Sequence, residues 1–149
     1  MKKRTDLFLY ACLFIGALMF SAAVFGGCSG NQTHKRTLET AKSSVETAFL
    51  ATNAVNDAFD AWSKQHQEEL VDAAKTKKEA EDTVAEFRVK RQSVNQAIIV
   101  AYSSIAAAAS SLALFEAEKI SETELLLRLT EAVESVLTLK NAVKDLGGS

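Results

Sequence analysis

The chain has 149 residues, one domain's worth, with 17 basic and 19 acidic side chains and a formal charge of −2. Three of the basic and one of the acidic side chains lie in the first six residues, leaving 14 against 18, a mildly acidic balance that argues against a nucleic-acid partner. Proline is absent, and no glycine occurs between Gly30 and Gly147, so a strand-rich domain would lack its turn residues.

The first element is a leader. Met1-Lys2-Lys3-Arg4 is basic, and Leu7 to Phe25 is uncharged and mostly apolar. Small residues Gly26 and Gly27 then precede Cys28. A basic start, an apolar stretch and a small-residue cleavage site make an export signal over residues 1–27. An uncleaved anchor helix is the alternative, since about 19 apolar residues are enough to span a bilayer. Val24-Phe25-Gly26-Gly27-Cys28 resembles the lipobox of bacterial lipoproteins, with Phe25 where Leu is commoner. That resemblance implies a diacylglyceryl group on the Cys28 thiol and cleavage before it. Ser29 after the cysteine implies delivery to the outer membrane, or to the cell membrane where the host has only one. Cys12 leaves with the leader and Cys28 is consumed by lipid, so the mature part keeps no free thiol and no disulfide.

After a lipidated tether (28–35), a helical domain is expected over 36–146, with 147–149 as a tail. Leu38, Ala41, Val45, Ala48, Thr52, Val55, Phe59 and Trp62 follow steps of three and four, one stripe of a helix. A second stripe runs from Ala80 through Val84, Phe87, Arg91, Val94, Ile98, Ala101, Ile105, Ala108 and Leu112 to Phe115. A third runs from Leu125 through Leu129, Ala132, Val136, Leu139 and Val143 to Leu146. Thr76-Lys77-Lys78-Glu79 and Ser121-Glu122-Thr123-Glu124 are capping boxes, which start helices. The fold class is therefore all-α, with helices over about 36–74, 77–118 and 122–146. They should form an elongated antiparallel three-helix bundle ending in a two-helix coiled-coil tip. One continuous helix from 36 to 118, in a long coiled coil, is the alternative.

Charge is unevenly spread. Ser63 to Gln92 holds 14 charged residues in 30, whereas Ser93 to Phe115 holds none in 23. The bundle accounts for this if the first and third helices flank the uncharged stretch, because a helix covered on two sides loses its polar face. A membrane span through residues 97–115, or an oligomer interface there, would also keep the helix free of charge. The span is disfavoured by charge: Arg88, Lys90 and Arg91 would lie outside and Glu116 and Glu118 inside, the reverse of the usual bias.

Residues that could carry chemistry are few. His66 and Glu69 share a helix face, but His34 is the only other histidine and no paired Glu-x-x-His motifs exist, so no metal site is expected. Haem is disfavoured because no Cys-x-x-Cys-His occurs and no methionine follows Met19. No glycine elbow or Gly-rich loop is present, and the glutamates fall on solvated faces. The expectation is no enzyme, no cofactor apart from the lipid on Cys28, and no small-molecule substrate. Lys75, Lys77, Lys78, Arg88, Lys90 and Arg91 are candidates for a partner-binding tip, diluted by intervening acids. Small helical outer-membrane lipoproteins are similar in architecture, although Leu146-Gly147-Gly148-Ser149 offers no terminal lysine for linkage to the cell wall.

These observations together predict a non-catalytic, lipid-anchored envelope protein, structural or protein-binding. Its partner is another envelope protein or a second copy. A phage- or plasmid-encoded surface lipoprotein acting in entry exclusion or lysis is the second expectation, separable by gene neighbourhood. A protein inserting residues 97–115 into a membrane is the third.

Overall fold

The computed structural model describes residues 30–147, and three helices account for nearly all of them: α1 (Gly30–Ala73), α2 (Lys77–Glu116) and α3 (Glu122–Gly147). Residues 1–29, which include the expected leader and Cys28, and residues 148–149 lie outside the described residues. With 44, 40 and 26 residues the helices are about 66, 60 and 39 Å long at 1.5 Å per residue.

Local chemistry sets both turns. Thr76 has extended backbone, and its hydroxyl accepts from the Glu79 amide at 3.2 Å. The Glu79 carboxylate in turn accepts from the Lys75 amide at 3.0 Å, one residue before the cap. A single helix through residues 74–76 is thereby replaced by a hairpin. At the second turn the Glu124 amide donates to Ser121 Oγ at 3.3 Å. The Ser121 amide and hydroxyl donate back to the Glu124 carboxylate at 2.8 and 2.9 Å. These bonds, backbone first, hold the Glu124 carboxyl below its ordinary range.

Two boundaries differ from expectation. α1 starts at Gly30, not 36, so most of the anticipated tether is helical. α2 ends at Glu116, two residues early, because the chain turns back through Glu118 at φ 56°. The Lys119 amide bonds the Leu114 carbonyl at 2.8 Å and the Glu118 amide bonds that of Phe115 at 2.9 Å. This is the closing pattern in which a left-handed residue, usually glycine, ends a helix. Here a glutamate takes that position, which costs about 1–2 kcal/mol in steric strain.

The three stripes meet in a core of stacked layers. Ala41, Leu112, Phe115 and Leu125 fill the end where α1 begins. Ala48, Ile105, Ala108, Ala132 and Val136 fill the middle. Phe59, Val94, Ile98, Ala101, Leu139 and Val143 fill the level at which α3 ends. Phe59, Leu125 and Leu139 are almost wholly buried, each worth about 1.5–3 kcal/mol of transfer free energy. Beyond α3, α1 and α2 continue as a two-helix tip held by Trp62, His66 and Phe87. His66 stacks on Trp62 at 4.9 Å and meets Phe87 edge-on at 5.0 Å. The buried hydroxyls are all satisfied: Thr52, Ser63 and Ser135 bond carbonyls one turn back, and Thr37 donates to Glu122 at 2.9 Å across the base.

Candidate interaction surface

The uncharged stretch of α2 is not covered as its composition suggested. Its inner side is, with Val94, Ile98, Ala101, Ile105, Ala108, Leu112 and Phe115 buried. Its outer side faces solvent. Ile99 is 57% exposed, Val100 44% and Leu114 42%, with Gln96, Ser103, Ala106, Ala107, Ser110 and Ala113 exposed between them. Nearer the tip, Val89 is 70% exposed and Gln92 is also open. The expectation that α1 and α3 together cover this run is therefore corrected. Two neighbours in a three-helix bundle touch adjoining flanks of α2 and leave its remaining side free.

The other helices obey the usual rule that a solvated face carries charge. α1 exposes Glu46, Asp57, Lys64 and Glu68, and α3 exposes Arg128, Glu134, Lys144 and Asp145. Over its base-proximal half, α2 turns to water an uncharged face longer than the exposed apolar patches at Phe49 and Leu50 on α1 or Leu126 and Leu127 on α3. The face has bulky and small parts. Val89, Ile99 and Val100 project from the half toward the tip, while Ala106, Ala107, Ser110 and Ala113 leave the other half low, broken by Leu114. On the α1 flank, Phe49 meets Tyr102 edge-on at 6.0 Å, and the Tyr102 hydroxyl donates to Asn53 at 2.5 Å. Burial, and secondarily the nearby Asp57, raises the Tyr102 phenol above its ordinary value. Charges bound the face at both ends: Arg88 and Lys90 toward the tip, and toward the base Glu118 and Lys119, with Glu116 held by Lys42 of α1 at 3.0 Å.

No family model matches the chain, and comparison with curated proteins and with solved structures finds no match.

The basic residues singled out from the sequence do not gather into one patch. Lys75, Lys77 and Lys78 sit exposed at the first turn, where Lys77 reaches Glu81 at 3.7 Å. Arg88 and Lys90 lie roughly 15 Å further along α2. Arg91 turns toward α1 and pairs with Asp60 at 3.1 Å, leaving its Nε buried without a hydrogen-bond partner. Arg91 thus ties the hairpin together, which withdraws it from a shared tip surface. Among the described residues no three His, Cys, Asp or Glu side chains converge as a metal site. His66 Nδ1 lies 3.7 Å from Glu69, and His34 stacks on Phe115 at the opposite end of the hairpin. Cys28, the expected lipidation site, lies outside the described residues.

Proposed function

We propose that the protein is a non-catalytic, lipid-anchored envelope protein that works by docking another protein on the outer face of α2. The observation that carries this reading is that face: a helix side open to water for about 35 Å with no charge on it. Water-facing helix surfaces acquire charge freely, so a long uncharged one marks contact with something other than water. Gln92, Gln96, Ser103 and Ser110 favour a protein partner over lipid, because amides and hydroxyls are costly to bury without partners. The anchor part of the reading rests on the leader and on Val24 to Cys28. The basic cluster at the first turn supports no separate role.

A second reading has one observation in its favour. α2 is long and apolar enough to cross a bilayer by length and composition. Insertion would require α2 to leave α1 and α3, breaking the packing of Ile98, Ile105, Leu112 and Phe115 and the Arg91–Asp60 pair. The docking reading keeps all of these contacts.

Two measurements test the proposal on the full chain expressed in a bacterium. With labelled palmitate, the native chain should take up label, and Cys28→Ala should accumulate as an uncleaved, unlabelled precursor. Normal processing of that variant overturns the anchor. In mild detergent the native chain should migrate as a complex, and Val100→Glu should migrate as a monomer of unchanged helicity. A monomeric native chain overturns the docking face.

A further inference from the structure

We infer that the docked partner is a second copy of this chain, with the two α2 faces packed in reversed direction about a twofold axis at Ser103. This rests on the reading of α2 as a docking surface, and three properties of the face point to a copy of itself.

The first is charge. Arg88 and Glu118 are equidistant in sequence from Ser103, and both are exposed. Reversal about Ser103 brings Arg88 of each copy to the turn after α2 that carries Glu118 of the other. Packing in the same direction instead sets Arg88 beside Arg88 and Glu118 beside Glu118. Such rim pairs contribute little affinity but decide orientation, because like charges brought together are penalised.

The second is relief. Ile99 and Val100 stand tall on one side of Ser103, and Ala106 and Ala107 lie low on the other. Under the same reversal Ile99 meets Ala107 and Val100 meets Ala106, large into small. Gln96 then meets Ser110, where an amide and a hydroxyl can bond. Packed in the same direction, the tall residues collide and the alanines face a gap, which forfeits dispersion contacts. Low residues around the axis also let the helices approach to the 8 Å end of the usual 8–10 Å range.

The third is area. A strip from Val89 to Glu116 is about 41 Å long and about 10 Å wide, so α2 alone offers roughly 410 Å² per copy. That is about half of the roughly 800 Å² per partner of a specific interface. Exposed Phe49, beside Tyr102 on the flank, widens the strip toward that value.

The test places a photo-reactive benzophenone amino acid at Ser103 of the full chain and irradiates intact membranes holding two differently tagged copies. The expected product is a covalent pair carrying both tags. An adduct with a different protein overturns the second-copy inference and leaves the docking face standing. No adduct at all overturns both. Direction is read by disulfide formation with Gln96→Cys and Ser110→Cys, against the unsubstituted chain as background for Cys12 and Cys28. A mixture of the two variants should crosslink efficiently and neither variant alone should. Self-crosslinking of Gln96→Cys overturns the reversed packing. Finally, Arg88→Glu should weaken the pair about tenfold, and adding Glu118→Arg should restore it. Failure of that rescue removes the charge argument.

Discussion

The inner and outer faces of one stretch of α2 are equally free of charge and have opposite surroundings. Between Val94 and Phe115 the inner face is closed by α1 and α3 in three core layers. The outer face, from Gln96 to Leu114, is just as free of charge and lies in water. An uncharged helix is therefore no proof of cover within its own chain. The inner side carries Ile98, Ile105, Leu112 and Phe115 beside Ala101 and Ala108, and the outer side mostly alanine and serine with Gln96, Ile99, Val100 and Leu114. The inner face fills the core; the proposed docking gives the outer face a closely approaching partner.

Paired substitutions break or sharpen this contrast. The largest effect is expected from a buried charge. Ile105→Asp should destabilise the full chain by roughly 4 kcal/mol or more, a large share of a typical 5–15 kcal/mol. Its outer counterpart Ile99→Asp should change stability by less than about 0.5 kcal/mol in dilute solution. Urea unfolding followed by circular dichroism compares the two, and equal losses would mean the outer face is also core.

Cavity formation comes next. Leu139→Ala should cost about 2–5 kcal/mol, since Leu139 is fully enclosed, whereas Leu127→Ala on the open side of α3 should be close to neutral. Glu118→Gly should raise stability by about 0.5–1 kcal/mol, because glycine takes the left-handed position without strain. A lower melting temperature for that variant would show that φ 56° carries no cost.

The smallest effect concerns pH. Glu124 is held below its ordinary range in the folded chain, so its contribution is present above the unfolded value and fades as pH falls through the folded one. Glu124→Gln should thus be less stable than the native chain at pH 7, and the gap should close toward pH 3. A gap independent of pH would mean that the carboxylate charge at Ser121 does not matter.

Much of the fold could be read from the sequence because its signals are local. Thr76 with Glu79 and Ser121 with Glu124 identify themselves within four residues, and steps of three and four name the buried side of each helix. What could not be read depends on neighbours. Thr37 looks polar, and its burial depends on the Glu122 carboxylate that the fold brings near; Ser63 and Ser135 bond carbonyls of their own helices, and only the neighbouring helices bury them. Glu118 carries no glycine signal for its turn. Arg91 reads as one more cation until Asp60, on the other helix, is placed beside it. The open outer face of α2 was the least legible feature. An uncharged run says that charge is unwelcome, and only the angular positions of α1 and α3 tell which half of it they satisfy.

If Cys28 carries the proposed lipid, the start of α1 at Gly30 puts only Ser29 between that lipid and the helix in sequence. That fixes how a reversed pair meets a bilayer. His34 stacks on Phe115, so each Gly30 lies a little beyond the base end of α2. Measured along the helices from Ser103, the two α1 starts of the proposed pair would stand roughly 50 Å apart and point in opposite directions. Such a pair cannot stand upright on one membrane with both acyl groups inserted. With both proposed lipids in place, the pair would lie along the membrane plane as a strut pinned at two points, or staple two facing membranes at a set spacing.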